Sequence, residues 1–199
     1  MKQRQYNLDK TAYDLEKENK RFIWKFFTYL YFLLFSLRNF KEIYIMCGII
    51  GFTGNLQAPG ILVDGLQQLE YRGYDSAGIA VNNGSETKIV KTTGKVATLR
   101  EKVEATADLA GTCGIGHTRW ATHGGVTEVN AHPHVSGNVT LIHNGIIENY
   151  KELAASLKTK GYTAISETDT EVAAMLIDSL YDGDPFAALK EADKALEGA

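Results

Sequence analysis

CGIIGFTGN, at residues 47–55, begins the part of the chain that decides the fold. Its first six residues form a short apolar run, which Thr53, Gly54 and Asn55 bring to an end. An apolar run of this length that stops at turn-forming residues is typical of a buried strand. We therefore predict that a domain begins with a strand at Cys47, directly after Met46.

Further strand signals follow this first run. GIAV at 78–81 and TKIVKTT at 87–93 flank an Asn-Gly pair, which is a strong signal for a β-hairpin. TCGIGHTR at 112–119 and NVTLIHN at 138–144 are two more candidate strands. Both of them end in clusters of polar residues, so the ends of these strands are where we expect binding groups.

Apolar residues at helical spacing separate the strand signals. We predict helices at 61–69, 96–103, 147–160, 169–181 and 186–197. Thr168 and Glu171 have the spacing of a capping box at the start of the fourth helix. Groups of strands with helices on either side indicate a layered α/β or α+β domain.

Residues 1–46 differ in composition from the rest of the chain. All 19 glycines, all 3 prolines, all 5 histidines and both cysteines lie at or after Cys47. The run FIWKFFTYLYFLLFSL at 22–37 would span about 24 Å as a helix, short of the roughly 30 Å of a bilayer core, and it contains Lys25. Charged residues rather than a small-residue cleavage site follow it, which disfavours a cleaved export signal.

Three interpretations of this leading segment stay open: a signal anchor, a removed propeptide, or translated sequence upstream of a true start at Met46. The break in composition favours the third. Over the whole chain, 44% hydrophobic and 23% charged residues are typical of a folded protein, and two cysteines are too few for a disulfide scaffold. A net charge of −3 gives no indication of a nucleic-acid partner.

Cys47 is a candidate nucleophile because of its position after Met46. Removal of the initiator methionine would leave a free α-amine on Cys47, which is basic enough near neutral pH to accept the proton of its own thiol. A peptide nitrogen within a longer chain cannot do this. The alternative is a small buried cysteine at the start of a strand.

HTRWATHGG, at residues 117–125, comes at the end of a predicted strand, where loops often carry binding groups on a rigid support. Within it, Arg119 could hold a carboxylate with two parallel hydrogen bonds, beside Trp120, Thr122 and His123. A surface arginine next to a packed tryptophan is the alternative interpretation.

Two later segments carry further candidate groups. HNGIIEN at 143–149 contains Asn144 and Gly145, which could offer a side-chain amide and a backbone N–H to one oxygen, as in an oxyanion hole. A simple turn is the alternative. SETDTEV at 166–172 places Asp169 at a helix start, where its carboxylate could cap the helix or face a ligand ammonium.

Histidines are concentrated in the same region, which raises the question of a metal site. His132 and His134 join His117, His123 and Cys113 there. No paired C-x-x-C or HExxH spacing accompanies them, so we expect no metal.

Several segments taken together resemble a known family. They are EYRGYDSAGIA at 70–80, HTRWATHG at 117–124, NAHPH at 130–134, HNGIIEN at 143–149 and SETDTEV at 166–172. In this order after Cys47 and Gly48, they resemble the class II, N-terminal-nucleophile glutamine amidotransferases, and within that family the branch that passes ammonia to fructose 6-phosphate. Branches that serve phosphoribosyl pyrophosphate or aspartate are similar at Cys-Gly and more loosely elsewhere.

The resemblance runs from Met46 to the end of the chain and implies an α+β fold, a four-layer αββα sandwich of the N-terminal-nucleophile hydrolase type. It implies Cys47 as nucleophile and base, with Asn144 and Gly145 as oxyanion donors. It implies Arg119 and Asp169 as clamps on the glutamine α-carboxylate and α-ammonium. The remaining residues that it implies for the glutamine site are Trp120, Thr122, His123 and Arg72.

The resemblance also implies an enzyme that hydrolyses L-glutamine to supply ammonia for making glucosamine 6-phosphate from fructose 6-phosphate. The acceptor domains would follow this region and are absent from the chain. We expect a non-family extension at 1–46 and a glutamine amidotransferase domain at 47–199 that is incomplete at its C-terminus. We expect no metal or organic cofactor, no nucleic acid, a cytoplasmic location and a homodimer in the longer protein.

Three alternative functions stay open. One is another class II glutamine amidotransferase. Another is a catalytically silent, glutamine-binding or membrane-tethered module, which would follow if Cys47 stays internal. The third is a papain-like pair, in which an imidazole such as that of His117 activates the thiol.

Overall fold

A computed structural model describes residues 47–198 of the chain. The predictions for residues 1–46 lie outside this part. The strands are β1 (Gly48–Thr53), β2 (Ser76–Asn82), β3 (Thr87–Thr93), β4 (Cys113–Arg119), β5 (His134–Ser136) and β6 (Val139–Leu141). The helices are α1 (Ala58–Gln68), α2 (Val96–Ala105), α3 (Tyr150–Thr159), α4 (Asp169–Leu180) and α5 (Pro185–Asp193), with a short 3₁₀ turn at Glu70–Arg72. Within residues 47–198, no helix combines the length and the apolarity needed to cross a membrane.

The first four strands form an antiparallel sheet in the order β1-β4-β2-β3. This arrangement confirms the predicted hairpin of β2 and β3 and the predicted strands at 47–52 and 112–119, which both lie on the β2 side of the hairpin. β1 lies at the edge, where its register sets Gly48 opposite Thr118 of β4. We expected β1 to be buried, and this is wrong for one of its faces. Because β1 is an edge strand that is covered on a single side, Ile49 is 45% exposed.

Helices α1 and α2 cover one face of this sheet, as their apolar spacing predicted. Two glycines of β4 let α1 approach closely: a Cβ on Gly114 would lie 2.8 Å from Leu62, and one on Gly116 would lie 3.2 Å from Leu66. The buried residues of this first core are Ala58, Leu62, Val63, Leu66, Ala77, Ile79, Val81, Val90, Val96 and Leu99.

The second half of the domain has a core of its own. β5 and β6 form a two-stranded antiparallel hairpin, against which α4 packs. The Asp178 carboxylate of α4 accepts hydrogen bonds from the Asn138 N–H at 2.9 Å and from the Tyr162 hydroxyl at 3.0 Å. The buried residues of this second core are Leu157, Val172, Met175, Leu176, Ile177, Ala188 and Ala192.

The two sheets meet between the two groups of helices. Gly78 of β2 marks the contact, since a Cβ there would lie 2.3 Å from the carbonyl oxygen of His132, just before β5. The ring of His117 of β4 stacks on that of His132, with 4.2 Å between centroids. The layers are therefore α1 and α2, the four-stranded sheet, the two-stranded sheet, and α3 to α5, which is the α+β, four-layer αββα arrangement that was expected.

Several boundaries in the second half differ from the sequence predictions. The strand predicted at 138–144 is wrong beyond Leu141, because the His143 carbonyl and the Asn144 side chain bond to the His117 ring instead of a neighbouring strand. The helix predicted at 147–160 begins only at Tyr150, and the helix predicted at 186–197 ends at Asp193.

The predicted capping box at the start of α4 is half correct. Thr168 accepts a hydrogen bond from the Glu171 N–H at 3.3 Å, as expected of the N-cap. The Glu171 carboxylate, however, accepts from the Ile165 and Ser166 N–H groups at 3.0 and 2.6 Å rather than from Thr168. Glu171 therefore ties down the segment that precedes α4.

We expect Gly78→Ala to lower the free energy of unfolding, because the new methyl group would meet the backbone at His132, just before the second sheet. Overpacking of this kind typically costs about 1–3 kcal/mol. Gly60→Ala is the matched control: it lies in α1 with nothing within 4 Å of the added Cβ. Since alanine favours a helix over glycine by roughly 0.5–1 kcal/mol, the control should be neutral or stabilising. Urea denaturation of both variants measures the difference, and equal effects would contradict this account of the contact.

Candidate functional site

A cavity of about 290 Å³ lies at the carboxyl end of β4. Its volume is close to the lower end of the roughly 300–1,000 Å³ of small-molecule sites. The residues that line it are Cys47, His117, Arg119, Trp120, Thr122, His132, His143, Asn144, Gly145, Ile146, Thr168, Asp169 and Thr170. Most of the candidate residues thus meet in one place, whereas His123 and Arg72 do not line the cavity.

The position of Cys47 follows from the register of β1 on β4. The Gly48 N–H donates to Thr118 Oγ1 at 3.0 Å, and a Cβ on Gly48 would lie only 2.7 Å from that oxygen. The thiol consequently lies beside the residue that follows β4: the Trp120 N–H donates to Cys47 Sγ at 3.2 Å. The Asn144 side-chain amide donates from Nδ2 to the Cys47 carbonyl oxygen at 3.1 Å.

Asn144 is held next to Cys47 by a histidine of β4. His117 Nε2 lies 2.8 Å from Asn144 Oδ1 and 3.1 Å from the His143 carbonyl oxygen. Asn144 therefore bridges the buried ring and the nucleophile candidate. The segment that carries it lies beyond the end of β6, so these side-chain contacts define its position.

Arg119, the last residue of β4, is only 3% exposed. Its guanidinium donates from Nη2 to the His123 carbonyl oxygen and from Nη1 to that of Gly125 at 3.4 Å, which holds the loop after β4 against the cavity. Glu167 closes this loop from the other side, accepting from the Gly125 N–H at 3.0 Å and from Asn130 Nδ2 at 2.8 Å. These two donors lower the pKa of Glu167.

Asp169 is the first residue of α4 and is 5% exposed. Its Oδ2 accepts from the Ile147 N–H at 2.8 Å, and its Oδ1 accepts from the Thr170 N–H at 3.0 Å. These donors and the positive end of the helix dipole stabilise a buried carboxylate. The expected place of Asp169 at a helix start is therefore confirmed, and its contact with Ile147 links α4 to the segment of Asn144.

Three histidine rings lie next to one another between the sheets: His117 and His132 are stacked, and His134 meets His132 edge to face. His132 lies between His117 and His134, with ring centroids 4.2 and 4.7 Å apart. The Nε2 atoms of His132 and His134 each lie 3.0 Å from a threonine hydroxyl, those of Thr170 and Thr168. Burial lowers the pKa of His117 to about 4 and that of His134 to about 3, and it lowers the pKa of His132 as well.

Sequence reasoning missed several of the residues that shape this cavity. Asp75 accepts from the Ala121 N–H at 2.6 Å and so anchors the start of the loop after β4. Asn130 and Glu167 hold the other end of that loop. Asp75 and Asn130 lie inside the segments at 70–80 and 130–134, whose resemblance to the family was the one signal that could have drawn attention to them. Nothing local in those segments indicated which partner each residue contacts.

No group of three or more His, Cys, Asp or Glu residues among residues 47–198 has the arrangement to hold a metal ion. Of the histidines that suggested one, His117, His132 and His134 contact each other through their rings, whereas the ring of His123 meets that of Tyr150. The Nε2 atoms of the first three face threonine hydroxyls, an asparagine side chain and a backbone carbonyl.

Part of the chain matches a known protein family. Residues 117–198 match the family described as "Glutamine amidotransferase domain". The matched range starts at His117, inside β4, and runs through the Asn144 segment and the three final helices.

Curated relatives extend the similarity over most of the chain. The chain is 55% identical over 156 residues to a glutamine–fructose-6-phosphate aminotransferase (isomerizing) of Thermus thermophilus and 49% identical over 156 residues to one of Clostridium acetobutylicum. Each alignment covers 77% of this chain and 26% of the relative. The chain thus spans about a quarter of the length of these relatives.

Solved structures show the same architecture. A glutamine phosphoribosylpyrophosphate amidotransferase of B. subtilis, complexed with ADP and GMP, matches with a TM-score of 0.64 at 30% identity. That match covers 76% of this chain and 33% of the other. A structure described as the allosteric regulatory enzyme of purine biosynthesis matches with a TM-score of 0.63 at 31% identity, over 76% of this chain and 33% of that one.

We expect acid to destabilise the domain through the buried histidines His117, His132 and His134. Their pKa values are lower in the folded protein than the value of about 6.5 in an unfolded chain, so the unfolded state binds more protons below pH 6.5. Their contribution to stability is complete above pH 6.5 and is lost as the pH falls towards 4. Each such histidine adds a slope of up to about 1.4 kcal/mol per pH unit to the free energy of unfolding.

The His134→Gln variant tests this dependence. Urea denaturation at pH 7 and pH 5 should show a smaller acid-induced loss of stability in the variant than in the parent, by about 2 kcal/mol. An unchanged loss between the two pH values would mean that His134 does not titrate as its burial indicates.

Proposed function

Because the chain belongs to the family of glutamine amidotransferase domains, we propose that it hydrolyses the side-chain amide of L-glutamine and releases ammonia. The observation that carries the proposal is the meeting of four groups in one cavity: a thiol, an amide donor, a buried guanidinium and a buried carboxylate. Cys47, Asn144, Arg119 and Asp169, which supply them, come from four separate segments of the chain.

Cys47 acts as the nucleophile. The thiolate attacks the amide carbon of glutamine, and the free α-amine of a chain that begins at Cys47 takes the thiol proton and passes it to the leaving ammonia. A γ-glutamyl thioester remains, and water then cleaves it to glutamate and restores the thiol. The Trp120 N–H donates to Sγ and so holds the sulfur at the end of β4, beside the cavity.

Asn144 and Gly145 stabilise the oxyanion that forms during attack. The Nδ2 atom of the Asn144 side chain already faces Cys47, and Gly145 lines the same cavity. Removal of one such preorganised donor typically lowers kcat by a factor of about 10²–10³.

Arg119 and Asp169 recognise the two charges of the amino acid. Both side chains are buried at the cavity, and they carry opposite charges. Arg119 therefore suits an α-carboxylate, and Asp169 suits an α-ammonium. Trp120 and Thr122 contribute walls of the glutamine site, whereas His123 acts through the loop that Arg119 holds. Arg72 shapes the site from the 3₁₀ turn before β2.

The ammonia serves the synthesis of glucosamine 6-phosphate from fructose 6-phosphate in a longer protein. Support comes from the relatives named glutamine–fructose-6-phosphate aminotransferase (isomerizing), which are about 50% identical to this chain. The acceptor sugar would bind outside the region that these residues cover. In that setting we place the domain in a cytoplasmic homodimer that uses neither a metal nor an organic cofactor in the glutaminase step.

The papain-like alternative finds less support in the cavity. Within the described residues, the hydrogen bonds of His117 go to Asn144 and His143, and none goes to the sulfur of Cys47. A silent module remains the alternative for a chain in which Cys47 is internal, since a peptide nitrogen supplies no base.

We expect residues 1–46 to block turnover. The test compares two forms with the same C-terminus: one begins at Met46 and loses that methionine, and the other carries residues 1–46. Their kcat values for glutamate release should differ at least a hundredfold, because general-base assistance typically raises a rate by about 10²–10⁴. Intact mass must verify both N-termini, and Cys47→Ala in the short form is the control for background hydrolysis. Comparable activity from a verified extended form would argue against the N-terminal base.

We expect Arg119→Lys and Asp169→Asn to raise KM for glutamine well above the parent value, because each removes one charge-specific contact with the amino acid. Lysine keeps the charge but loses the planar pair of donors. Steady-state glutaminase assays measure the effect, with circular dichroism to verify folding. An unchanged KM in both variants would refute the assignment of these two residues.

A further inference from the structure

We propose that His117 is a positioning residue that holds the Asn144 amide in the orientation in which its NH₂ group faces the Cys47 side of the cavity. This inference rests on the proposed function, because it assigns Asn144 as an oxyanion donor. His117 does not itself contact the reacting atoms in this role. It acts by fixing which end of an otherwise symmetrical amide group points at the substrate.

The chemistry of the neighbouring atoms determines the orientation. His117 Nε2 lies 3.1 Å from the His143 carbonyl oxygen, which can only accept a hydrogen bond. Nε2 must therefore carry the hydrogen. The Asn144 atom that lies 2.8 Å from the same nitrogen is then the acceptor Oδ1, and the NH₂ group points the other way.

A second contact leads to the same result from the opposite end of the amide. The atom of Asn144 that faces Cys47 lies 3.1 Å from the Cys47 carbonyl oxygen, again an obligate acceptor. Only the NH₂ group can donate there. The two contacts are independent, and both require the same orientation of the side chain.

The ring of His117 is itself well fixed. The residue is fully buried in β4, between β1 and β2, and its ring stacks on that of His132. Within the described residues, Nδ1 is buried without a hydrogen-bond partner, so a hydrogen there would be an unsatisfied donor. Burial holds the pKa of His117 at about 4, which keeps the ring neutral with its one hydrogen on Nε2.

Loss of this contact has a specific consequence. Without a donor at Oδ1, only the contact of Nδ2 with the Cys47 carbonyl oxygen still favours this orientation of the Asn144 amide. Rotated forms that direct an oxygen rather than an NH₂ group at the developing oxyanion then become more populated. The effect belongs to the transition state, because the charge on that oxygen develops only there. Substrate affinity should change little.

The first test needs no activity. In the ¹⁵N-labelled full chain at pH 7, the imidazole nitrogens of His117 should show the neutral form with hydrogen on Nε2. A variant such as His117→Gln assigns the signals. Hydrogen on Nδ1, or a charged ring at pH 7, would overturn the inference whether or not the chain turns over glutamine, because Nε2 could not then hold Asn144 as described.

The second test compares two substitutions of His117 in the form that begins at Met46. Glutamine can place an amide donor close to the position of Nε2, whereas methionine of similar size has none. We expect His117→Met to lower kcat about tenfold to hundredfold with KM changed less than threefold. His117→Gln should retain most of kcat. Equal losses in both variants would overturn the role of the donor.

A double-variant cycle separates positioning from a general structural effect. In an Asn144→Ala background the amide is absent, so His117→Met should lower kcat by less than threefold further. If His117→Met lowers kcat by the same factor with and without Asn144, the two residues do not act together and the inference fails. Thermal unfolding shows whether each variant is folded.

Alkylation of Cys47 distinguishes this role from activation of the thiol. Iodoacetamide reacts with the sulfur without forming an oxyanion, so His117→Met should keep the alkylation rate of the parent within about twofold. A rate that falls together with kcat would identify His117 as a base and overturn the positioning role. His134→Gln is the matched control for removal of a buried histidine from the same group of three, and its kcat should exceed that of His117→Met. A parent form without glutaminase activity would instead count against the proposed function, and the ¹⁵N measurement would still decide the orientation.

Discussion

The site depends on the pairing of β1 with β4. Gly48 opposite Thr118 brings Cys47 to the end of the strand where Arg119 and Trp120 lie. Only glycine fits at position 48, because a Cβ would come within 2.7 Å of Thr118 Oγ1 and 2.8 Å of Leu69. A shift of this pairing by one residue would turn every β1 side chain to the opposite face, and it would separate the thiol from the Trp120 N–H.

The groups at the cavity are contributed by both halves of the sandwich. The four-stranded sheet carries Arg119 and sets the position of Cys47, while α4 and the segment after β6 carry Asp169 and Asn144. Two links join the halves at the site: the contact of His117 with Asn144 and the hydrogen bond from Asn144 Nδ2 to the Cys47 carbonyl oxygen. A change in the spacing of the two sheets would therefore alter the distance between nucleophile, oxyanion donor and clamps together.

Burial of polar groups between the sheets carries an energetic cost that the contacts offset. His117, His132 and His134 remain neutral, so no charge is buried with them, and a hydroxyl, an amide oxygen or a carbonyl lies at each Nε2. Asp169 keeps its carboxylate at a helix N-terminus with two backbone donors. The interior of this domain thus combines apolar cores beneath the helices with a polar layer between the sheets, and the site lies at one end of that polar layer.

The amino-acid sequence by itself determined the local structure and most of the chemical groups. Apolar spacing at 61–69 and the Asn-Gly hairpin are local signals, and the resemblance of short segments indicated the α+β sandwich together with Cys47, Asn144 and Asp169. The tertiary structure alone decided which groups meet. The end of β6 at Leu141 and the partner of His117 both depend on atoms from distant segments, and no local pattern encodes a distance between such atoms. Periodicity reports how a residue relates to its neighbours in sequence, whereas the orientation of one amide depends on which acceptor and which donor the folded chain places on either side of it.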